Sequence, residues 1–216
     1  ILYKSKDSGE INYIEDDVPI RGEEELEGAD PTMDNDSYFK VDAYEFAVKE
    51  NDLGEKRIIA TDAIVKCNVK VINKSEVNSI DDVYSPEVAL NIEKKDYTVN
   101  MLKEHAFSEC IVKENIEIPS DYPLPTGIIA SFGDVIITEK KIFEDKVSID
   151  GILNVTVMYK TSDKDKMTYA VNEEIPFNSS SEIDGCKIDM TCNVRGNIEN
   201  IEAELEANTA AIKALI

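Results

Sequence analysis

The single histidine of the chain, His105, is the first candidate for proton-transfer chemistry, because histidine titrates near neutral pH. A Ser-His or Cys-His nucleophile system would depend on this one residue, which lies in a segment that we predict to be a connector. The sequence contains no nucleophile elbow and no glycine-rich phosphate loop followed by Lys and Ser or Thr. These absences argue against an acyl-transfer enzyme and against a nucleotide hydrolase.

Carboxylates are numerous, but their spacing does not favour acid–base catalysis. Neighbouring residues on a strand point to opposite faces, so an adjacent pair cannot flank one scissile bond. Examples of such pairs are Asp16-Asp17, Asp81-Asp82 and Glu173-Glu174. A calcium loop at Asp30, Asp34 and Asp36 would supply oxygen ligands, although it lacks the central glycine and terminal glutamate of the familiar loop. We predict a non-enzymatic chain with no catalytic, cofactor-binding or metal-binding residues.

The four cysteines are Cys67, Cys110, Cys186 and Cys192. A zinc site needs four soft ligands placed close together, and these cysteines show neither CxxC spacing nor a neighbouring histidine. We predict reduced thiols that pack as small hydrophobic residues, as in a cytosolic protein. A disulfide bridge between Cys186 and Cys192 is the alternative.

The chain is strongly acidic, with a formal net charge of -22 and an isoelectric point near 4.3. This charge repels polyanions, so nucleic acid is not an expected partner. Within residues 7–36, which we call the acidic window, Arg21 is the only basic residue. The window is either a solvated face that maintains solubility or a docking surface for a basic protein partner. No apolar run approaches the roughly 20 residues of a membrane span, and we predict no transmembrane segment.

The elements that carry these residues repeat along the chain. The phrase "INYIEDDVPI" (residues 11–20) returns as "MTYAVNEEIPF" (residues 167–177), and one offset aligns Tyr3 with Tyr159 and Tyr13 with Tyr169. Further on, "IIATDAIVKCNV" (residues 58–69) matches "LEANTAAIKALI" (residues 205–216). Self-similarity of this kind indicates a structural unit that is built twice.

The predicted fold is mainly β, with two repeated antiparallel β-sandwich or barrel-like units, the first incomplete at its N-terminus. The second copy has roughly fifty residues before Tyr159, whereas the first has two before Tyr3, so we expect an excised piece of a longer protein. The predicted domains are 1–75, the C-terminal part of a first repeat; 76–106, a connector; and 107–216, a second repeat.

Alternating apolar residues predict the individual strands. Residues 134–150 predict two strands around a tight turn at Glu144-Asp145-Lys146, with a bulge at Gly151, and residues 166–177 predict a third strand. A further hairpin is predicted to turn at Arg195-Gly196-Asn197. In the connector, "VALNI" and "YTVNM" predict a short hairpin, and "IPSDYPLPTG" (residues 118–127) predicts a proline-rich loop.

The repeated phrases resemble a known family. "VIITEKKIFEDKVSIDGILNVTVMYK" (residues 135–160), "YAVNEEIPF" and "IEAELEANTAAIKALI" are similar to the SPOCS domain of SipL-type spore coat morphogenetic proteins from clostridia. The first copy, in "YIEDDVPI", "TMDNDSYFKVDAYEFAVKENDLGEKRI" and "IDDVYSPEV", resembles the preceding SPOCS domain of the same proteins. The resemblance covers essentially the whole chain.

This resemblance implies a non-enzymatic role in spore coat assembly. Proteins of this type act in the mother-cell cytoplasm at the outer surface of the forespore, where they help to anchor the coat to a basement layer built by a self-assembling ATPase. That coat-basement ATPase is the implied partner, and self-association is a second expectation. Much of the family's partner binding is implied to reside in a C-terminal LysM domain, which we expect to be missing from this fragment.

The alternative function is a carbohydrate- or peptidoglycan-binding β-sandwich module. Such modules bind glycans through exposed aromatic residues, and Tyr13, Tyr44, Tyr122 and Tyr169 are candidates. The chain has no tryptophan, which removes the strongest stacking platform.

Overall fold

The computed structural model describes residues 1–163, 167–206 and 209–216. Within these ranges the chain forms ten strands and no helix, which confirms the mainly β prediction; a helical membrane span is absent from the same ranges. In chain order the strands are β1 (Leu2–Lys4), β2 (Ile11–Tyr13), β3 (Asp34–Glu50), β4 (Lys56–Ile72), β5 (Ile111–Glu117), β6 (Pro125–Phe143), β7 (Lys146–Thr161), β8 (Thr168–Glu182), β9 (Asn200–Glu206) and β10 (Thr209–Leu215).

The strands belong to two compact units. We call Ile1–Asp16 together with Val99–Ile216 the sandwich unit, and Asp17–Thr98 the hairpin unit. The two units are defined by the contacts within the folded chain and not by the repeat in the sequence. The predicted domain boundaries at 75 and 106, and the tandem repeat itself, therefore stay predictions.

Two three-stranded antiparallel sheets build the sandwich unit. The strand order is β6-β7-β8 in one sheet and β5-β10-β9 in the other. β7 is the central strand of the first sheet, and every second residue from Gly151 to Tyr159 is buried. Because successive side chains of a strand point to opposite faces, this alternation gives β7 one face toward the core.

The hydrophobic core lies between these two sheets. Leu153 and Val157 of β7 are fully buried, and the second sheet contributes Ile116 of β5 and Ile212 of β10 to the same cluster. Burying one such side chain contributes about 1.5–3 kcal/mol. The sandwich unit is therefore held together mainly by contacts between sheets, which are distant in sequence.

The turn between β6 and β7 forms where the sequence predicts it. Asp145 has a φ of 57°, in the left-handed region that aspartate tolerates better than most residues. Its backbone N–H donates to the Cys186 carbonyl at 3.1 Å, and its side chain accepts from the Gly185 N–H. The turn is thus fixed to the segment that follows β8.

The bulge predicted at Gly151 lies instead in the partner strand, which corrects that prediction. The ladder shifts between Ile137 and Glu139 of β6, and this leaves Thr138 as the extra residue. Gly151 itself is paired in register with Phe177 of β8. A Cβ at Gly151 would lie 2.5 Å from Cζ of Phe177, so the glycine is required by the close approach of an aromatic ring.

Two predicted hairpins are wrong. No described residue between Ile183 and Glu199 is in a strand; the observed hairpin pairs β9 with β10, and residues 207–208 lie outside the described residues. Gly196 has a packing role instead of a turn role, because a Cβ there would lie 2.5 Å from Cγ1 of Val135. The connector segments "VALNI" and "YTVNM" are not strands either, and side chains such as Tyr97, 80% exposed, lie in solvent.

The third predicted strand is confirmed, and the proline-rich loop is confirmed except at residues 125–127, which belong to β6. The third predicted strand is β8, although Lys166 lies outside the described residues. The proline-rich segment is a loop up to residue 124, after which β6 begins at Pro125.

The short strands β1 and β2 pair antiparallel, as β7 and β8 do, but Tyr3 lies opposite Asn12, whereas Tyr159 lies opposite Tyr169. The aligned tyrosine pairs therefore differ by one residue in register.

A long hairpin is the regular structure of the hairpin unit. Strands β3 and β4 have 17 residues each and pair antiparallel in a two-stranded sheet. The Asn51 side chain closes their turn by accepting hydrogen bonds from the N–H groups of Leu53 and Glu55, at 3.0 and 2.9 Å. Gly54 follows with a φ of 76°, a conformation that favours glycine.

Candidate functional site

The part of the acidic window in the hairpin unit forms an exposed loop before β3. We call residues 17–33 the acidic loop, and every side chain from residue 17 to 32 is exposed. Its single cation, Arg21, is paired with Glu23 next to it in sequence, and both side chains face solvent. Local pairing removes one negative charge and leaves most carboxylates of the loop available to cations from outside.

The acidic loop borders an open depression of about 780 Å³. One side carries carboxylates that include Glu24, Glu27 and Asp30, and the other side is formed by Val69 and Val71 of β4. The depression therefore combines a negatively charged rim with an apolar wall. This combination suits a partner whose cationic side chains flank apolar ones.

Hydrogen bonds keep Asp30 ionised at this rim. The Thr32 hydroxyl and backbone N–H both donate to Asp30 Oδ1, at 2.6 and 2.8 Å. Since these bonds favour the charged form, they hold the pKa of Asp30 below its usual range, with the side-chain bond the larger cause. Asp34 forms an ion pair with Lys74 at 2.9 Å.

The residues considered for metal binding and thiol chemistry are not brought together. Over the described ranges, no three His, Cys, Asp or Glu side chains converge on one point, so the calcium alternative gains no support. All four cysteines are free thiols, and the Cys186–Cys192 bridge does not form. Cys186 is buried, whereas Cys67 on β4 is exposed.

The tyrosines considered for glycan binding are divided between the two units. Tyr122 and Tyr169 pack edge to face with ring centroids 4.7 Å apart, and Tyr159 lies 6.2 Å from Tyr169. Tyr13 and Tyr44 belong to different units. Two of the four candidates, Tyr122 and Tyr169, thus pack on each other.

Tyr159, which sequence comparison singled out only as a repeat position, is the most unusual of these residues. It is fully buried, and its hydroxyl has no hydrogen-bond partner in the described part of the chain. Burial raises the pKa of Tyr159, with smaller contributions from Tyr169 and Tyr122. A buried hydroxyl without a hydrogen-bond partner among the described residues is a cost to stability.

One face of the β3–β4 hairpin carries no charged residue. It consists of odd-numbered residues 35–41 and even-numbered residues 44–48 of β3, together with odd-numbered residues 59–71 of β4, and we call it the uncharged face. Its aromatic residues are Phe39, Tyr44 and Phe46, each at least half exposed. The depression beside the acidic loop lies at the open end of this face, at Val69 and Val71.

A bulge at Asp42 keeps the uncharged face continuous. The ladder shifts between Val41 and Ala43, so Asp42 is an extra residue whose carboxylate pairs with Lys66 at 2.8 Å. Tyr44 thereby returns to the same face as Val41. Sequence reasoning missed this surface, although the change of alternation phase between Val41 and Tyr44 is its signal.

Comparison with known proteins identifies one segment. Residues 126–206 match the family model described as SipL, SPOCS domain. The match spans β6 to the end of β9, which are four of the eight strands of the sandwich unit, and confirms the resemblance seen in the sequence for this segment. Searches of curated proteins and of solved structures found no match.

Proposed function

We propose that this chain, which carries a SPOCS domain of the SipL type at residues 126–206, is a non-enzymatic morphogenesis protein of the spore coat. It acts as a scaffold and docking module between the coat and its basement layer. The observation that carries this proposal is the SPOCS match over four strands of the sandwich unit. Function in sporulation follows from the family; the docking role rests on the surfaces of this chain.

The acidic loop is the docking surface in this proposal. Its carboxylates are exposed, and Asp30 is held in the charged form by Thr32. Exposed charges of one sign accelerate encounter with an oppositely charged partner and select against partners of like charge. We therefore assign to this loop a basic patch on the coat-basement ATPase as its partner.

The proposed location is the mother-cell cytoplasm at the outer surface of the forespore. Free cysteines support it, since disulfides are rare in reducing compartments and the chain has four thiols without a bridge. The acidic surface supports binding to a protein layer more than binding to an anionic membrane, which would repel it.

The test is a titration of the chain with the purified coat-basement ATPase at two salt concentrations. The loop variant Glu24→Gln/Glu25→Gln is compared with Glu173→Gln/Glu174→Gln on β8, an adjacent pair of exposed glutamates with the same charge change. We expect the loop variant to bind about three- to tenfold more weakly, since each exposed charge pair contributes about 0.2–1 kcal/mol. Salt should weaken binding of the unmodified chain.

Equal weakening in the two variants would assign the effect to net charge and remove the loop from the proposal. Absence of binding at both salt concentrations would contradict the docking role for this part of the protein.

A further inference from the structure

We infer that the uncharged face of the β3–β4 hairpin is the contact surface between two copies of this chain. This inference goes beyond the proposed docking to the ATPase and does not depend on it. Self-association of the chain can be measured whether or not the chain binds the ATPase.

The uncharged face of the hairpin is exposed, whereas the inward face of β10 in the sandwich unit is buried against the opposite sheet. In the sandwich unit, Ala210, Ile212 and Ala214 of β10 are at most 3% exposed, because the opposite sheet packs on them. In the hairpin unit, Val41 is 56% and Tyr44 is 65% exposed. A two-stranded sheet without a packed face is marginally stable in water, so covering this face stabilises the hairpin.

Charge identifies a second copy as the occupant. With a formal net charge of -22, two copies of this chain repel each other over most of their surface. The uncharged face is where two copies can meet without bringing like charges into contact, because none of its fourteen side chains is charged. The opposite face of the same hairpin carries Lys40, Glu45, Asp62 and Lys66 and lacks this property.

The size of the face suits a weak but specific dimer. The uncharged face runs over residues 35–48 of β3, which at about 3.3 Å per residue is roughly 46 Å, and two strands with their side chains are about 10 Å wide. Stacking two such faces buries about 460 Å² on each copy, or about 920 Å² in total, which lies in the range of weak, transient interfaces. We therefore expect a dissociation constant of about 1–100 μM.

Repulsion between the acidic loops of two copies is small if the two-fold axis of the dimer crosses the hairpin at the level of the Asp42 bulge. This symmetry places Phe39 of one copy over Phe46 of the other, since the two residues lie on opposite sides of the bulge. It also places the two acidic loops at opposite ends of the stack, about 40 Å or more apart, well beyond the Debye length of roughly 10 Å. Like-charge repulsion between the loops is then largely screened.

The test is sedimentation equilibrium of the full chain from about 1 to 500 μM, with Val41→Glu and Ile64→Glu as a matched pair. Val41 lies on the uncharged face and Ile64 on the opposite face, and their exposures of 56% and 60% are similar. We expect reversible dimers for the unmodified chain and for Ile64→Glu, and an increase of at least tenfold in the dissociation constant for Val41→Glu.

Thiol labelling gives a second readout on the unmodified chain. Cys67 lies on the uncharged face and is exposed in the single chain. Iodoacetamide labelling of the Cys67 peptide, followed by mass spectrometry, should slow several-fold between low and high protein concentration. This measurement keeps the inference testable if Val41→Glu fails to fold.

Three outcomes would overturn the inference. The first is a monomer over the whole concentration range, with Cys67 labelled equally fast throughout. The second is a monomer in which Cys67 is protected at every concentration, which would mean that another part of the chain covers the face. The third is a dimer that Val41→Glu leaves intact, which would place the contact on another surface.

Discussion

Replacing Gly151 by alanine tests how the β6-β7-β8 sheet is packed. Two effects of opposite sign compete at this position. Gly151 does not have a positive φ, so alanine fits the backbone and restricts the unfolded chain, which stabilises by about 0.4–1 kcal/mol. Against this, the new Cβ would lie 2.5 Å from Cζ of Phe177 and 3.0 Å from the Ile136 carbonyl oxygen.

The steric effect should prevail. Overpacking of a filled site costs about 1–3 kcal/mol, because neighbouring atoms are forced from their preferred positions. The larger overlap is with the Phe177 ring, at 2.5 and 2.6 Å from Cζ and Cε1, and this ring packs against the hydrophobic core and cannot swing away freely; the Ile136 carbonyl oxygen, at 3.0 Å, has to give much less. Taking the middle of each range, a cost of about 2 kcal/mol and a gain of about 0.7 kcal/mol, gives an expected net destabilisation of about 1.3 kcal/mol for Gly151→Ala.

Chemical denaturation followed by circular dichroism measures this change, and a double-mutant cycle identifies its cause. In a Phe177→Ala background the ring is gone, so most of the cost of Gly151→Ala should disappear. Gly127→Ala on β6 is the control, because a Cβ there meets nothing within 4 Å. It should be neutral or stabilising by up to about 1 kcal/mol.

Two results would refute this reasoning. One is a Gly151→Ala variant that is as stable as Gly127→Ala, which would mean that Phe177 does not cover Gly151 in solution. The other is an equal cost of Gly151→Ala with and without the Phe177 ring, which would assign the strain to the backbone alone.

Two further predictions concern Tyr159 and the β3–β4 turn. Tyr159→Phe removes a buried hydroxyl that has no partner in the described residues, so we expect unchanged or increased stability, by up to about 1 kcal/mol in thermal denaturation near pH 7. The pKa of Tyr159 in the folded chain is raised above its ordinary value of 10.0, so the unmodified chain should lose stability as pH rises above 10.0. The Tyr159→Phe variant should lose less stability over the same pH range. Identical alkaline stability profiles for the two proteins would contradict this assignment. Asn51→Ala removes the acceptor for the Leu53 and Glu55 N–H groups, which should cost about 1 kcal/mol of local stability. Amide hydrogen exchange along the β3–β4 turn should then accelerate about five- to tenfold, while exchange in β7 stays unchanged.

The sequence predicted those elements whose signals are local. The alternation of β7 and the turn at Asp145 both follow from neighbouring residues, and the structure places them as predicted. The hairpin at Gly196 was wrong because a glycine in a polar segment reads as a turn. Its actual cause is close packing against Val135, a residue far away in sequence that no local pattern reveals.

The same difference between local and long-range signals applies to the candidate surfaces. The acidic window was evident from composition, because an exposed run of charge depends on no tertiary contact. The uncharged face was missed because its alternation changes phase between Val41 and Tyr44, and a strand with a broken phase looks amphipathic on neither face. Recognising it required the register of β3 on β4, which shows Asp42 to be the extra residue.

The two proposed contacts should respond to salt in opposite directions. Docking through the acidic loop is an attraction between unlike charges, so added salt weakens it. Association through the uncharged face brings together two chains that each carry a charge of -22, so added salt reduces their repulsion and strengthens the dimer. A single salt series on the unmodified chain, with ATPase binding and sedimentation measured side by side, therefore separates the two surfaces. If both contacts weakened together as salt increased, charge attraction would govern the dimer too, and the uncharged face would not be its contact surface.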